Sequence, residues 1–314
     1  MSQVANKGLS ASGGRFRRPR TWRNAVEWVI PKLLSVCALL SVVTTFAILL
    51  TLLVETASFF EEVSIIEFVT GTEWTALFSG DQQKFGVLPL VSGTLLVTAG
   101  AAVVAMPIGL ASAIYLSEYA PDRVRRVLKP VLEVLAGIPT IVYGFFALTF
   151  VTPLLKKWIP NLDTFNALSA SIVVGIMIIP LIASLSEDAM TAVPRSIRHA
   201  AYALGATKLE VALRVVVPAA LSGIVSSFVL ALSRAIGETM IVTIAAGSTP
   251  VLTFNMLESI QTMTAYMVQA ATGDIAYGSI QYKSLYAVGM TLFLFTLAMN
   301  LLAQYISRRF KEDY

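Results

Sequence analysis

The chain alternates long apolar blocks with short polar ones. Runs without Asp, Glu, Lys or Arg cover 33–54, 86–117, 134–155, 164–186 and 284–307. Each is at least 22 residues long, and about 20 apolar residues cross the hydrocarbon layer as a helix. A sixth stretch, 215–257, carries only Arg234 and Glu238 and has room for one helix plus an irregular segment. The pattern predicts six membrane-spanning helices, each satisfying its own backbone hydrogen bonds in lipid. The short alternating segments of a transmembrane barrel are absent. The first run has a basic flank, as signal peptides do. It is too long for one, and no A-x-A site follows it near Glu55, so a retained anchor over 29–54 is expected.

Composition narrows the class. Apolar residues make up 56% of the chain and charged ones 13%, against about 25% charged in an ordinary soluble domain. Too few charges remain to coat a soluble surface, so the expected fold is all-α, a polytopic membrane protein. Cys37 is the lone cysteine and His199 the lone histidine. That excludes an intrachain disulfide and leaves no metal-ligand set. No nucleophile-and-base constellation is visible. No G-x-x-x-x-G-K-[ST] motif is present, so ATP binding through a P-loop is not expected of this chain.

The cations predict orientation. Lys7, Arg15, Arg17, Arg18, Arg20, Arg23 and Lys32 precede or open the first span. Arg123, Arg125, Arg126 and Lys129 lie in loop 118–130, and Arg195, Arg198, Lys208 and Arg214 in loop 187–214. Arg308, Arg309 and Lys311 follow the last span. With both termini in the cytoplasm, 18 of the 23 Lys and Arg residues fall inside and four outside: Lys84, Lys156, Lys157 and Lys283. The basic excess therefore reports topology and attraction to anionic lipid rather than nucleic-acid binding.

The expected organisation is a cytoplasmic tail over 1–28, with Trp22 and Trp28 at the interface, then the anchor, then an outside loop over 55–85. That loop is acidic (Glu55, Glu61, Glu62, Glu67, Glu73, Asp81), which reads either as tolerated acidity or as a docking surface. Residues 86–310 form the main membrane domain. Pro89, Pro107 and Pro139 are expected to kink its helices.

Loop 187–214 has an internal plan. Helix formers lead to Gly205, a suitable residue just past a helix end, and Thr207 and Glu210 have capping-box spacing. A short helix, a glycine turn and a second helix are expected, with Ala200 and Ala201 permitting close approach of another surface. A connector lying on the membrane is the competing reading.

This loop resembles the EAA loop of ABC importer permeases: His199-Ala200-Ala201, then Gly205, then Pro218, with His199 where the family has Glu. The resemblance implies that His199, Ala200, Ala201, Tyr202, Gly205 and Pro218 belong to a coupling helix that fits a groove in an ATPase subunit. Phe85–Pro89 with Ser92-Gly93-Thr94, Tyr115–Pro121, Gly137–Gly144 and Ser233–Met240 are similar to the phosphate-specific permeases, over about residues 85–310. The long outside loop resembles the PstC type more than the PstA type. The resemblance implies an inner-membrane subunit forming half a pore. Its implied partners are a second, PstA-type permease, two ATP-binding subunits holding ATP and Mg, and an extracytoplasmic phosphate-binding protein.

Arg234 and Glu238 are four apart, so a continuous helix would set them on one face. Intramembrane charges usually face a pathway or one another. Arg offers a planar fork for phosphate. Glu238 can accept a hydrogen bond from protonated phosphate and would repel sulfate. Gly237 is expected to permit close backbone approach. Ser233 and Thr239 can donate to phosphate or bond within their own helix. A structural ion pair remains the alternative for Arg234 and Glu238. A permease for sulfate, molybdate or an organic solute is the alternative for the chain. A secondary transporter would usually show an internal repeat, and none is visible.

Overall fold

A computed structural model describes residues 22–78 and 80–309. Most of the expected tail, with Lys7, Arg15, Arg17, Arg18 and Arg20, lies outside the described residues, as does Lys311. Helix α1 runs Trp22–Glu62. Two compact units, residues 1–51 and 52–314, divide within it. In the first unit the side chains from Trp28 onward are almost all exposed, as suits an apolar helix offered to lipid. Lys32 Nζ lies 3.4 Å from the Trp28 ring centroid, a cation–π contact.

Among its described residues the second unit is helical apart from turns, loops and one bridge between Trp74 and Phe85. Its elements are α2 (Ile65–Thr70), α3 (Leu88–Ile114), α4 (Asp122–Ala136), α5 (Thr140–Phe146), α6 (Thr152–Lys156), α7 (Ala167–Thr191) and α8 (Arg195–Ala203). After these come α9 (Lys208–Val211), α10 (Val217–Ala219), α11 (Leu221–Ile236), α12 (Met240–Ala245), α13 (Met263–Thr272) and α14 (Ile280–Arg309). Among the described residues four helices are long enough and apolar enough to cross a membrane: α1, α3 with its π turn Tyr115–Tyr119, α7 and α14. Two bent pairs meet the same length and composition when each is taken as one span, α4 with the α5–α6 rod at 85° and the α9–α10 rod with α11 at 73°.

The third apolar run therefore differs from the expected single helix. It breaks at Gly137-Ile138-Pro139, because a residue before proline is pushed out of the helical region. Pro139 then starts α5 in extended geometry, φ −57° and ψ 133°. Pro89, in contrast, sits in the first turn of α3, where its missing N–H costs nothing. The 55–85 segment also differs from an open loop. α1 continues through Glu62, and Phe59, Phe68, Trp74, Phe85 and Tyr266 make a buried aromatic cluster. Trp74 meets Tyr266 edge-on at 4.9 Å between centroids. The segment is a packed cap, tied further by Lys283–Glu62 and Lys84–Glu73 pairs, each 2.5 Å.

The centre of the bundle is the contact between α3 and α7. Gly100 lies against Ser171, Gly175 against Ala101 and Val104, and Gly109 against Ile182. Positions advance together on the two helices, so they run parallel, with α4–α6 carrying the chain back between them. Small residues let the backbones close up and gain dispersion contacts where lipid provides no hydrophobic drive. At its far end α7 is fastened to α4. Glu187 is buried, and it is bonded by Arg125 and by Lys129 at 2.9 Å, while Asp188 takes Lys129 at 2.6 Å. A carboxylate at 1% exposure needs such partners, because an unpaired buried charge is strongly destabilising.

A Cβ on Gly109 would stand 2.8 Å from the Ile182 Cβ, a clash that no rotamer relieves. Gly109→Ala is expected to destabilise the protein by about 1–3 kcal/mol. Thermal unfolding in detergent checks this, with Gly237→Ala, whose Cβ would meet nothing closer than 3.7 Å, staying near wild type.

Candidate functional site

The loop after α7 forms as its sequence suggests. α8 closes with a Schellman pattern: Gly205 N–H donates to the Tyr202 carbonyl at 3.0 Å and Ala206 N–H to the Ala201 carbonyl at 3.2 Å. That reversal needs a left-handed residue, and Gly205 supplies it at φ 86° without the penalty a Cβ would bring. Thr207 then starts α9 with a complete capping box. Its Oγ1 accepts from Glu210 N–H at 3.4 Å, and its N–H donates to Glu210 Oε2 at 2.9 Å.

His199, Ala200, Tyr202 and Gly205 are exposed on this turn, and Ala201 is half-buried against the apolar cluster beneath it. Pro218 lies apart from them, in α10 at the bend into α11. Sequence reasoning passed over Leu204, which is 89% exposed at the tip of the turn. Its signal was available: a large apolar residue directly before a C′ glycine in a polar loop.

The second region holds a correction. Arg234 and Glu238 do not share a helix face and form no ion pair among the described residues. α11 ends at Ile236, the chain breaks over Gly237–Thr239, and α12 starts at Met240. The reason is local competition for the backbone. Glu238 Oε1 accepts from the N–H groups of Met240 at 3.1 Å and Ile241 at 3.2 Å, taking two donors that a new helix leaves without intrahelical acceptors. Glu238 is buried, at 7% exposure, and its other oxygen has no donor among the described residues. Its carbonyl accepts from Thr264 Oγ1 at 2.6 Å. Arg234 is exposed on the last turn of α11, within electrostatic reach of Tyr143 on α5.

The remaining expected residues separate. Ser233 Oγ donates to Asn300 Oδ1 of α14 at 2.9 Å, not to its own helix. Thr239 Oγ1 turns back to the Gly237 carbonyl at 3.2 Å. Gly237 has φ −85° and space for a Cβ, so close approach is not what places glycine there. Two threonines that the sequence reading missed come in here: Thr264, bonded to the Glu238 carbonyl, also bonds Thr262 at 3.0 Å. The polar run Gln261-Thr262 just ahead of α13 was their signal. No three His, Cys, Asp or Glu side chains gather as a metal site among the described residues.

A bundle built of straight and broken spans, an exposed helical turn at one end and a capped carboxylate within a broken span describe a transport subunit. The chain belongs to the family of binding-protein-dependent transport system inner membrane components, whose family model matches residues 105–312. It is 36% identical to the probable ABC transporter permease protein YqgH of Bacillus subtilis, over 89% of this chain and 90% of that one. It is 33% identical to the phosphate transport system permease protein PstC of Mesorhizobium japonicum, over 77% and 78%. Within the family the chain therefore stands with the PstC-type permeases, as a multi-pass inner-membrane protein. Its fold matches a chain of a bacterial ABC transporter involved in the import of the acidic polysaccharide alginate, with TM-score 0.63 over 93% of this chain and 99% of that one. Identity there is 15%, so that likeness speaks for fold alone.

Because Arg234 and Glu238 are not paired, removing one strands no partner. Arg234→Met and Glu238→Gln are each expected to reach the membrane at normal levels and to unfold within about 1 kcal/mol of wild type, the glutamine oxygen keeping the two N–H bonds. Quantitative membrane blots and detergent melting curves check both.

Proposed function

We propose that this chain forms half of the translocation pathway of an ATP-driven importer of inorganic phosphate. It works beside a second, PstA-type permease, with two ATPase subunits that hold ATP and Mg, and with an extracytoplasmic phosphate-binding protein that delivers the solute. The permease itself carries no ATPase site in this reading. Both termini and the α8 turn face the cytoplasm, and the aromatic cap faces outward, in keeping with the cation distribution.

The observation that carries the proposal is the break at Gly237–Thr239. It leaves a buried carboxylate with one oxygen free and, a turn away, an arginine with no acidic partner. In this reading Arg234 offers its fork to a phosphate oxygen pair. The free oxygen of Glu238 accepts a hydrogen bond from the P–OH group of hydrogen phosphate. A fully deprotonated anion such as sulfate brings no such donor and is repelled. Thr264 holds the Glu238 backbone through its carbonyl, and Ser233 holds α11 to α14. At the other end the exposed face of His199, Ala200, Tyr202 and Leu204 seats in an ATPase groove, the helix-in-groove mode. Closure of the two ATPases then rocks the spans by rigid-body motion.

Arg234→Met/Glu238→Gln is expected to assemble normally and to lose phosphate uptake at least about tenfold, equivalent to about 1.4 kcal/mol on the barrier; wild-type uptake of labelled phosphate would make both residues structural. Leu204→Asp removes no core contact and is expected to insert but to lose copurification with the ATPase subunits. A cysteine at position 202 in a Cys37→Ser background is expected to resist an impermeant thiol reagent in intact cells and to label in inverted vesicles. Labelling in intact cells would reverse the orientation.

A further inference from the structure

Arg198 is the α8 cation that turns inward. Its side chain is 16% exposed, and its Nη2 lies 3.2 Å from Glu118 Oε1, itself on a side chain only 6% exposed. The same nitrogen donates to the Met190 carbonyl at 2.7 Å. One guanidinium thus joins three elements: its own α8, the π turn that ends α3, and the last turn of α7. The π turn spans Tyr115–Tyr119, a local widening of the helix of the kind found at functional sites. Ser117 Oγ donates to Glu118 Oε1 at 3.0 Å, fixing the carboxylate. The next residue, Tyr119, lies with its ring 5.9 Å from Lys208 Nζ at the start of α9. Residues 117–119 therefore receive both halves of the loop. Ala113, Met190, Val193, Val211 and Val216 pack beside them as one buried apolar cluster.

We infer that Glu118 and Arg198 are positioning residues that make the coupling loop one rigid body with the ends of α3 and α7. This rests on the reading of α8 as the ATPase-docking helix. A docking helix on a compliant tether would absorb the displacement it receives. A buried, doubly bonded arginine prevents that, because opening it strands a charge on each side. The displacement passes instead into the α3–α7 contact, whose glycine-mediated packing leaves no slack. The pair is placed to transmit movement and is not part of the exposed docking face.

Replacing the joint by a reversible covalent one tests this. In a Cys37→Ser background, Glu118→Cys/Arg198→Cys is assembled with its partner subunits in proteoliposomes and bridged with a reducible bis-methanethiosulfonate reagent. Before bridging, ATPase subunits are expected to remain bound and ATP hydrolysis to continue, while phosphate moved per ATP falls about tenfold, within the usual range of a coupling between sites. Bridging is expected to restore the ratio, and reduction to abolish it again. Three results would overturn the inference: a normal ratio before bridging, hydrolysis without transport after bridging, or loss of the ATPase subunits before bridging. Should the double variant fail to insert, Glu118→Gln/Arg198→Met, which removes the ion pair and strands no charge, is expected to insert and to lower the ratio; a normal ratio there is equally fatal. Failure of the docking reading is separate, since it appears as Leu204→Asp keeping its ATPase subunits.

Discussion

The close contact of α3 and α7 is the constraint on which the rest of this bundle hangs. In lipid two apolar helices gain little by merely touching, so their association depends on how nearly the backbones approach. Gly100, Gly109 and Gly175 set that approach, and each occupies a place where a methyl group would overlap its neighbour. The two helices are parallel, so both carry a beginning to one end of the bundle and a terminus to the other. The aromatic cap of residues 59–85 gathers at the first end. Glu118, Glu187 and Met190 mark the second.

Charge is arranged in keeping with that axis. Two carboxylates with buried side chains at the second end are each satisfied from another element: Glu187 by α4 and Glu118 by α8. Such pairs add little net stability, because desolvation consumes most of the Coulombic gain. What they add is exclusivity, since any other arrangement leaves a charge without a partner. Glu238 is handled in another way. Two backbone N–H groups satisfy one oxygen, and the helix is interrupted so that they are available. An interrupted helix inside a membrane is tolerable only where the freed groups find partners. Here the side chain that accompanies the break supplies them and keeps an acceptor in reserve.

The family relationship gives these features a common direction. A permease must receive a movement at one end and change access to a pathway some distance away. Packed elements with few alternative arrangements can carry such a movement, whereas soft ones dissipate it. The Schellman turn at Gly205, the capping box at Thr207 and the arginine joined to two other helices all stiffen the route from α8 to α3 and α7.

Much was legible in the sequence. Charge-free runs are long because lipid excludes charge over a fixed thickness, and they located the four long apolar helices found among the described residues. The α8–glycine–α9 plan was readable because caps and C′ glycines act within a few residues of chain. The segments that misled were those whose outcome lay outside such a window. The third run looked continuous, yet it breaks ahead of Pro139, and α4 turns away to pair with Glu187 on a distant helix. Residues 55–85 looked like an open acidic loop because their apolar partners, Tyr266 among them, come from almost 200 positions further along the chain. Arg234 and Glu238 looked like an i, i+4 pair because spacing assumes an unbroken helix. The Glu238 side chain instead takes the amides of Met240 and Ile241, which ends the helix between them, and Thr264 from a distant segment holds the Glu238 carbonyl in that arrangement. Sequence determines what a membrane can accept and what a few adjacent residues can form. Tertiary structure decides which buried polar group meets which, because that satisfaction is supplied from elsewhere in the chain.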